Sequence, residues 1–438
     1  MKADLNQPSM IRAWCMYDWA NSVYSLVITS AIFPVYYQAI TTNADGSDQV
    51  SFFGWQVANS VLYSYALSMS ALVLVPLLPL LSGIADYNGT KMRFMKIFVY
   101  IGSLSCIGLF FFTSANLEWG ILCSVLASLG YAGSLVFYDA YLPEIVTEDR
   151  LDDVSARGYS FGYTGSVILM IVNIIMIEKW ELFGFSSQGL ATRFAFLTVG
   201  LWWIGFAQIP FRKLPQRVIP RAPGDRNLLN GFHELRKVWD SLAQLPDLKR
   251  FLFAYFFYNM GVQTVMYLAA TFGAKELQLE SSKLIATVLI IQLVAAVGAW
   301  IFSRVSHRKG NKFSLMVMII IWIAICGMAY LTHNEYEFYG IAVLVGLVMG
   351  GIQALSRATY SKLIPRDTVD TASYFSFYDV LYNLCLAIGT FTYGLIEHLT
   401  GSMRNSTLAL MVFFVLGLLL LWRVTIKHVP GAQPSSNA

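Results

Sequence analysis

RKLPQRVIPRAPGDRNLLNGFHELRKVWDSLAQLPDLKR, residues 212–250, is the one long stretch of this chain that a lipid bilayer cannot hold. Nine of its residues are basic: Arg212, Lys213, Arg217, Arg221, Arg226, Arg236, Lys237, Lys249 and Arg250. Pro215, Pro220, Pro223 and Pro246 interrupt it. On either side the sequence is apolar almost without a break. The 438 residues are 56% hydrophobic and only 13% charged, about half the ~25% charge of a soluble domain. Apolar runs of ~20 residues recur throughout, the pattern of spanning helices rather than of a large soluble core. The basic stretch therefore divides the chain into an N-terminal half (1–211), a cytoplasmic connector (212–249) and a C-terminal half (250–438).

Twelve spans are predicted, at 13–38, 57–81, 94–113, 118–141, 158–178, 191–211, 250–272, 284–302, 314–332, 337–363, 372–396 and 405–425. With both termini in the cytoplasm, 25 of the 30 Lys and Arg residues fall inside, and only Lys179, Arg193, Lys275, Lys283 and Arg404 fall outside. That asymmetry orients the chain by the positive-inside rule. The net charge of +4 therefore reports topology, not a nucleic-acid partner. The expected fold class is an all-α membrane protein, twelve transmembrane helices in two six-helix halves. Asp4, Arg12 and Asp18 near the start, with no small-residue cleavage site after them, predict no cleaved signal peptide. Cys15, Cys106, Cys123, Cys326 and Cys385 form no CxxC pair and read as free thiols, with no metal site.

Polar residues inside the spans mark the candidate site, because lipid cannot satisfy them. In span one, Asp18, Ser22, Ser25 and Thr29 share a helical face with Asn21 beside it. This stripe is expected to line a central cavity, although Asp18 also lies near enough to the inner end to reach water. Span seven, FLFAYFFYNMGVQTV, carries Asn259 and Gln263, with Tyr258-Asn259 standing where Tyr17-Asp18 stood. In span ten Gln353, Arg357 and Tyr360 share a face. In span eleven Ser376, Asp379, Asn383 and Thr390 do the same. Arg357, Asp379 and Asp139 lie toward the inner ends. They read either as a salt-bridge network closing an inner gate, or as a carboxylate-binding Arg with a proton-carrying Asp. The connector adds Leu228, Phe232, Leu235, Trp239 and Leu242, the apolar face of an amphipathic helix expected on the inner membrane surface.

Spans two and three are joined by GIADYNGTKMR, residues 83–93. Gly83, Asp86, Gly89, Lys91 and Arg93 resemble the glycine, aspartate and basic-residue loop of major facilitator transporters. Its carboxylate is expected to pair with basic residues and with the amino end of a neighbouring helix. The loop after span eight, RVSHRKGNK, repeats it weakly. Gly310 and Lys312 stand opposite Gly89 and Lys91 at an offset of 221, and His307 replaces Asp86. Pro143 and Pro365 align at 222. Two six-helix copies with a transport site between them are the reading.

Longer stretches narrow the resemblance. AWCMYDWANSVY, YDAYLPEI, SARGYSFGYTGS, FLFAYFFYNMGVQTV and GGIQALSRATYSKLIP are similar to the Atg22-like vacuole effluxer group and its bacterial relatives. The resemblance implies the major facilitator fold, and export of amino acids from a lumen in the fungal members. The expected function is secondary transport of a small polar metabolite, amino acid or short peptide first, possible coupling to protons included, from the inner membrane of a bacterium. Sugars, drugs or organic anions are the alternative cargo, and a non-transporting receptor or scaffold the alternative role. The substrate and coupling candidates are Asp18, Asn21, Ser25, Asn259, Gln263, Gln353, Asp379 and Asn383. The gate candidates are Asp86, Lys91, Arg93, Asp139, Glu144, Arg157 and Arg357. No GxxxxGK loop is present and the five histidines are dispersed, so neither direct ATP use nor an enzyme is expected. No cofactor is expected, and a lipid-embedded monomer is.

Overall fold

A computed structural model of the protein describes residues 5–42, 49–216, 228–365, 368–400 and 402–426. The basic residues Arg217, Arg221 and Arg226 of the connector lie outside the described residues, as do Lys2, Arg366 and Lys427. The chain begins with α1 (Pro8–Val23), a π-helical segment (Tyr24–Ile32) and α2 (Phe33–Thr41). Strands β1 (Gln49–Phe52) and β2 (Trp55–Ala58) follow, then α3 (Asn59–Asn88), α4 (Lys91–Gly108) and α5 (Leu117–Asp139). Next come α6 (Leu142–Ile145), α7 (Leu151–Glu178), α8 (Gln188–Lys213) and α9 (Leu228–Gln244). The second half holds α10 (Pro246–Glu276), α11 (Ser281–Lys309), α12 (Asn311–Leu331), α13 (Glu335–Leu363), α14 (Thr371–Thr400) and α15 (Met403–Trp422).

Among the described residues, nine helical stretches are long and apolar enough to cross a membrane. They coincide with predicted spans one, three to six, eight to ten and twelve. Helices α3, α10 and α14, of 30, 31 and 30 residues, cover predicted spans two, seven and eleven. At ~1.5 Å per residue each reaches about 45 Å, beyond the ~30 Å of a hydrocarbon core. Leu104, Ile171, Leu293 and Val412 point outward and stay exposed, as lipid-facing side chains do.

Two local features depart from a plain all-helical chain. Residues 49–58 form an antiparallel hairpin with Phe52 opposite Trp55. Its turn is closed by Phe53 and Gly54, both in the left-handed region (φ 48° and 83°). Within span one the helix widens to a π-helix, and the Ser30 hydroxyl donates to the Ser25 carbonyl (2.8 Å). Pro34 lacks the N–H that the Ser30 carbonyl would otherwise accept, which favours irregularity in the turn before it. π-segments of this kind concentrate at functional sites.

The predicted repeat has a visible local counterpart. Gly89 and Gly310 both adopt positive φ (64° and 87°) where one long helix ends and the next begins. Only glycine takes this conformation without a steric penalty. Elsewhere glycine serves close packing: a Cβ on Gly130 would run into the backbone of Gly102 on α4. Gly130→Val is accordingly expected to destabilise the protein by about 1–3 kcal/mol through overpacking. Thermal unfolding in detergent would register this as a lowered midpoint, whereas Gly205, with open space around it, should accept alanine without change.

Helix α9 ties the connector to both halves. It packs against α3, and Lys237 Nζ lies 3.2 Å from Asp370 Oδ2. Ser241 shares a hydrogen bond with the Tyr374 hydroxyl (2.7 Å). Val238 is the buried apolar residue of this turn, and Trp239 remains 63% exposed beside Phe377. The Trp239 ring therefore points away from the protein core, a placement that suits a membrane–water interface.

Candidate functional site

Three clusters of buried polar side chains join the two halves, all at the predicted inner end. The first centres on Arg357 of α13, 1% exposed. Its Nη1 donates to Asp139 Oδ1 (2.9 Å) and its Nη2 reaches Asp18 Oδ2 (3.4 Å). Nε donates to the Ser155 hydroxyl (3.0 Å), and Nη2 donates to the Ser155 carbonyl (3.1 Å). The guanidinium lies over the rings of Tyr159 (4.3 Å), Trp14 (4.7 Å) and Tyr138 (5.6 Å). Tyr138 in turn donates its hydroxyl to Asp18 Oδ2 (2.8 Å). Glycine makes the approach possible: a Cβ on Gly158 would crowd Trp14, Asp18 and the Arg357 Nη2. Gly162 and Gly165 similarly seat Ser22 and Trp19, so the glycine run of α7 is a packing face for α1.

The second cluster contains Asp86, Lys91 and Glu144. Asp86 accepts the backbone N–H groups of Ala372 (3.3 Å) and Ser373 (2.7 Å) at the amino end of α14. A carboxylate there meets both orphan donors and the positive end of the helix dipole. Lys91 pairs with Glu144, lies 3.8 Å from Asp86 and donates to the Thr371 hydroxyl (2.7 Å). Thr371 also donates to Glu144 (2.7 Å).

The third cluster was not anticipated from the sequence. Asp152, at the start of α7, accepts from Ser306 (2.8 Å), Asn311 (2.7 Å) and Lys362 (2.8 Å), all from the second half. Asn311 also donates to Thr359 (3.0 Å). Asp152 and Ser373 are 221 residues apart, the same offset that relates the two gate loops. The second loop, with His307 in place of Asp86, thus receives its carboxylate from the opposite half. The arrangement is the mirror of the first, in which the loop supplies the acid and the helix end supplies the donors. Carried back from Ser373, the donor to Asp86, the 221-residue offset leads to Asp152.

The remaining candidates divide by position. Arg157 is half-exposed and pairs with Asp153 one turn earlier (2.9 Å), and Arg93 is exposed. The structure brings neither into the three clusters, because each side chain points outward from its helix. Arg357 makes four hydrogen bonds to protein acceptors and is 1% exposed, so in this conformation it is turned to the gate rather than to a substrate carboxylate. Toward the middle of the bundle, Gln263 Nε2 donates to Asn259 Oδ1 (3.1 Å). Tyr163 donates to Gln353 Oε1 across the halves (2.9 Å). Ser25 donates to the Ser22 carbonyl (3.0 Å), and Asn383 Nδ2 to the Asp379 carbonyl (2.8 Å). Asn21 Nδ2, Gln263 Oε1 and Asp379 Oδ2 are buried with no hydrogen-bond partner among the described residues. An orphan donor and two orphan acceptors are costly unless something polar meets them. All five cysteines are buried free thiols, and no group of metal-binding side chains occurs among the described residues.

Comparison with known proteins places this geometry. The family model described as "Vacuole effluxer Atg22 like" matches residues 6–429. The chain is 33% identical over 414 residues to "Uncharacterized MFS-type transporter YxiO" of Bacillus subtilis, covering 93% of both chains. It is 28% identical over 420 residues to "Autophagy-related protein 22" of Vanderwaltozyma polyspora, covering 84% of this chain and 77% of that one. Among solved structures it is similar to the major facilitator transporter FucP in the outward conformation. The TM-score is 0.70 at 11% identity, over 96% of this chain and 99% of that one. The human organic anion transporter MFSD10 gives a TM-score of 0.69 at 14% identity, over 95% and 100%.

Proposed function

The chain belongs to the vacuole effluxer Atg22-like family of major facilitator transporters, and we propose that it moves a small polar metabolite by alternating access of its two halves. Amino acids and short peptides are the first candidates, in a bacterial inner membrane, with twelve crossings and both termini in the cytoplasm. The observation that carries this reading is the contrast between the two levels of the bundle. Side chains that cross between the halves close the predicted inner end, where Glu144 and Ser373 still keep one unmet polar atom each. Asn21 and Gln263 toward the middle of the bundle, and Asp379 nearer the inner end, keep unmet polar atoms with no such crossing partner among the described residues. Asn21, Gln263 and Asp379, with Asp18, Ser25, Asn259, Gln353 and Asn383, are the proposed cargo and coupling site. Asp86, Lys91, Glu144, Asp139 and Arg357 are the proposed inner gate, and Asp152 and Lys362 join it.

Flux into proteoliposomes tests the proposal. Labelled amino acids, dipeptides, sugars and nucleosides are offered in turn, with thermal unfolding as a second readout. A ligand at 100 times its Kd stabilises the fold by about 2.7 kcal/mol. Uptake limited to amino acids or dipeptides supports the assignment; uptake of sugars alone replaces the cargo and keeps the transporter. Asp86→Asn removes a charge from the amino end of α14, an interaction worth up to ~2 kcal/mol when partly buried, or roughly 30-fold in an equilibrium. Transport by that variant is expected to fall by ~10-fold or more. A receptor or scaffold would be indifferent to the change, and unaltered flux would count against the gate.

A further inference from the structure

The five side chains around Arg357 belong to one half of the chain, and three of them are bonded to one another without it. The Trp14 ring stacks on Tyr138 (4.5 Å), and Trp14 Nε1 donates to the Tyr138 carbonyl (3.1 Å). The Tyr138 hydroxyl holds Asp18. Tyr159 and Asp139 complete the enclosure, and all five residues precede the connector. Arg357 enters from α13 of the other half. If the halves part at the inner end, the guanidinium leaves, the Trp14–Tyr138–Asp18 wall stays bonded, and Asp139 and Tyr159 remain beside it on the same half. What remains is two carboxylates beneath three aromatic faces, a combination that recognises organic cations by charge pairing and cation–π contact.

The balance of charge points the same way. Asp18 and Asp139 pair with the one guanidinium of Arg357, so its departure leaves an excess of two carboxyl groups without a cation. A net cation relieves this excess, whereas a sugar or a zwitterion brings no net charge to it.

We infer that Trp14, Tyr138, Tyr159, Asp18 and Asp139 form a preformed receptor for the guanidinium or alkylammonium group of a cationic organic substrate. Arg357 fills it when the inner end is closed, and the substrate fills it when that end is open. The inference rests on the alternating-access reading and narrows its cargo to molecules with a net positive charge. Cation and Arg357 compete for one place, so the cation favours the open inner end and Arg357 the closed one.

Calorimetry on the purified full chain, with agmatine as probe and leucine and glucose as controls, tests this. Agmatine is expected to bind wild type at least ~10-fold more tightly than either control, the scale of one charge-assisted contact. Tyr159→Leu, which removes a ring and no charge, should weaken agmatine and leave the controls unmoved. Arg357→Ala, which removes the internal competitor, should bind agmatine ~10-fold more tightly than wild type. A merely structural Arg357 predicts weaker or unchanged binding in that variant, and either result overturns the inference. Proteoliposome flux separates the two levels of the proposal. Transport of leucine or glucose that agmatine does not inhibit would sink the cation receptor and leave the transporter standing. Absence of flux for every compound would remove the transporter reading with it.

Discussion

Arg357→Ala is expected to abolish net transport and to open the inner end. The substitution leaves Asp139 and Asp18 buried without their cation, and removing one partner of a buried ion pair costs about 3–5 kcal/mol. That cost falls on the closed conformation alone, since an open inner end lets water reach both carboxylates. The closed-to-open ratio should therefore drop by roughly two to four orders of magnitude. Arg357→Lys keeps the charge but loses the planar fork that reaches Asp139, Asp18 and Ser155 together, and an intermediate loss is expected. Adding Asp18→Asn and Asp139→Asn to Arg357→Ala removes the stranded charges and should recover part of the closed population. Flux and conformational measurements on the series check this. Equal behaviour of the single and triple variants would show that the buried charges are not what holds the end shut.

Asp152→Ala is expected to produce the second largest effect, although the residue lies in a charged run, EDRLDDV, that reads as an ordinary loop. It deprives Ser306, Asn311 and Lys362 of their common acceptor. The Lys362 side chain is 6% exposed, so an unpaired ammonium would be left in the closed interface at a cost of about 3 kcal/mol or more. Transport is expected to fall by ~100-fold. Lys362→Ala should do the same, and the double variant should be milder than the sum, because neither charge is then stranded. Strict additivity in that cycle would mean the two side chains act independently. By contrast Arg157→Ala breaks only an exposed ion pair with Asp153, worth ~0–1 kcal/mol, and transport should persist.

Much of this architecture was legible in the chain. The apolar runs located the helices because a bilayer demands long, internally hydrogen-bonded segments. The glycine and aspartate of residues 83–93 identified a tight turn and its pairing with a helix end, and Asp86 does meet the amino end of α14. Arg357 and Asp139 stood out because isolated charges in a span need partners. What stayed hidden depends on contacts without local periodicity. Asp152 meets residues 154 to 210 positions away, and nothing in its neighbourhood distinguishes it from Asp149 or Asp153. Arg157 and Arg93 have the composition of gate residues, but helix rotation turns them to the surface. The cage around Arg357 escaped for another reason: Trp14 and Tyr159 read as ordinary aromatic residues until the fold sets them against a guanidinium from the other half. The π-segment and the 49–58 hairpin reflect local backbone chemistry, Pro34 in one case and Phe53-Gly54 in the other, within stretches that hydropathy averages over.

The distance across the inner end is the measurement that tests alternating access most directly. Spin labels at Arg157→Cys on α7 and Lys309→Cys on α11 sit on exposed positions either side of the Asp152–Ser306 contact. The native cysteines are buried. Pulsed electron spin resonance in lipid should give a dominant short separation in the otherwise unaltered protein. A longer separation should take over when Arg357→Ala and Asp152→Ala are added. One unchanged distance distribution in all these proteins would contradict the account, because the inner end would then be fixed and its charge clusters would not be locks.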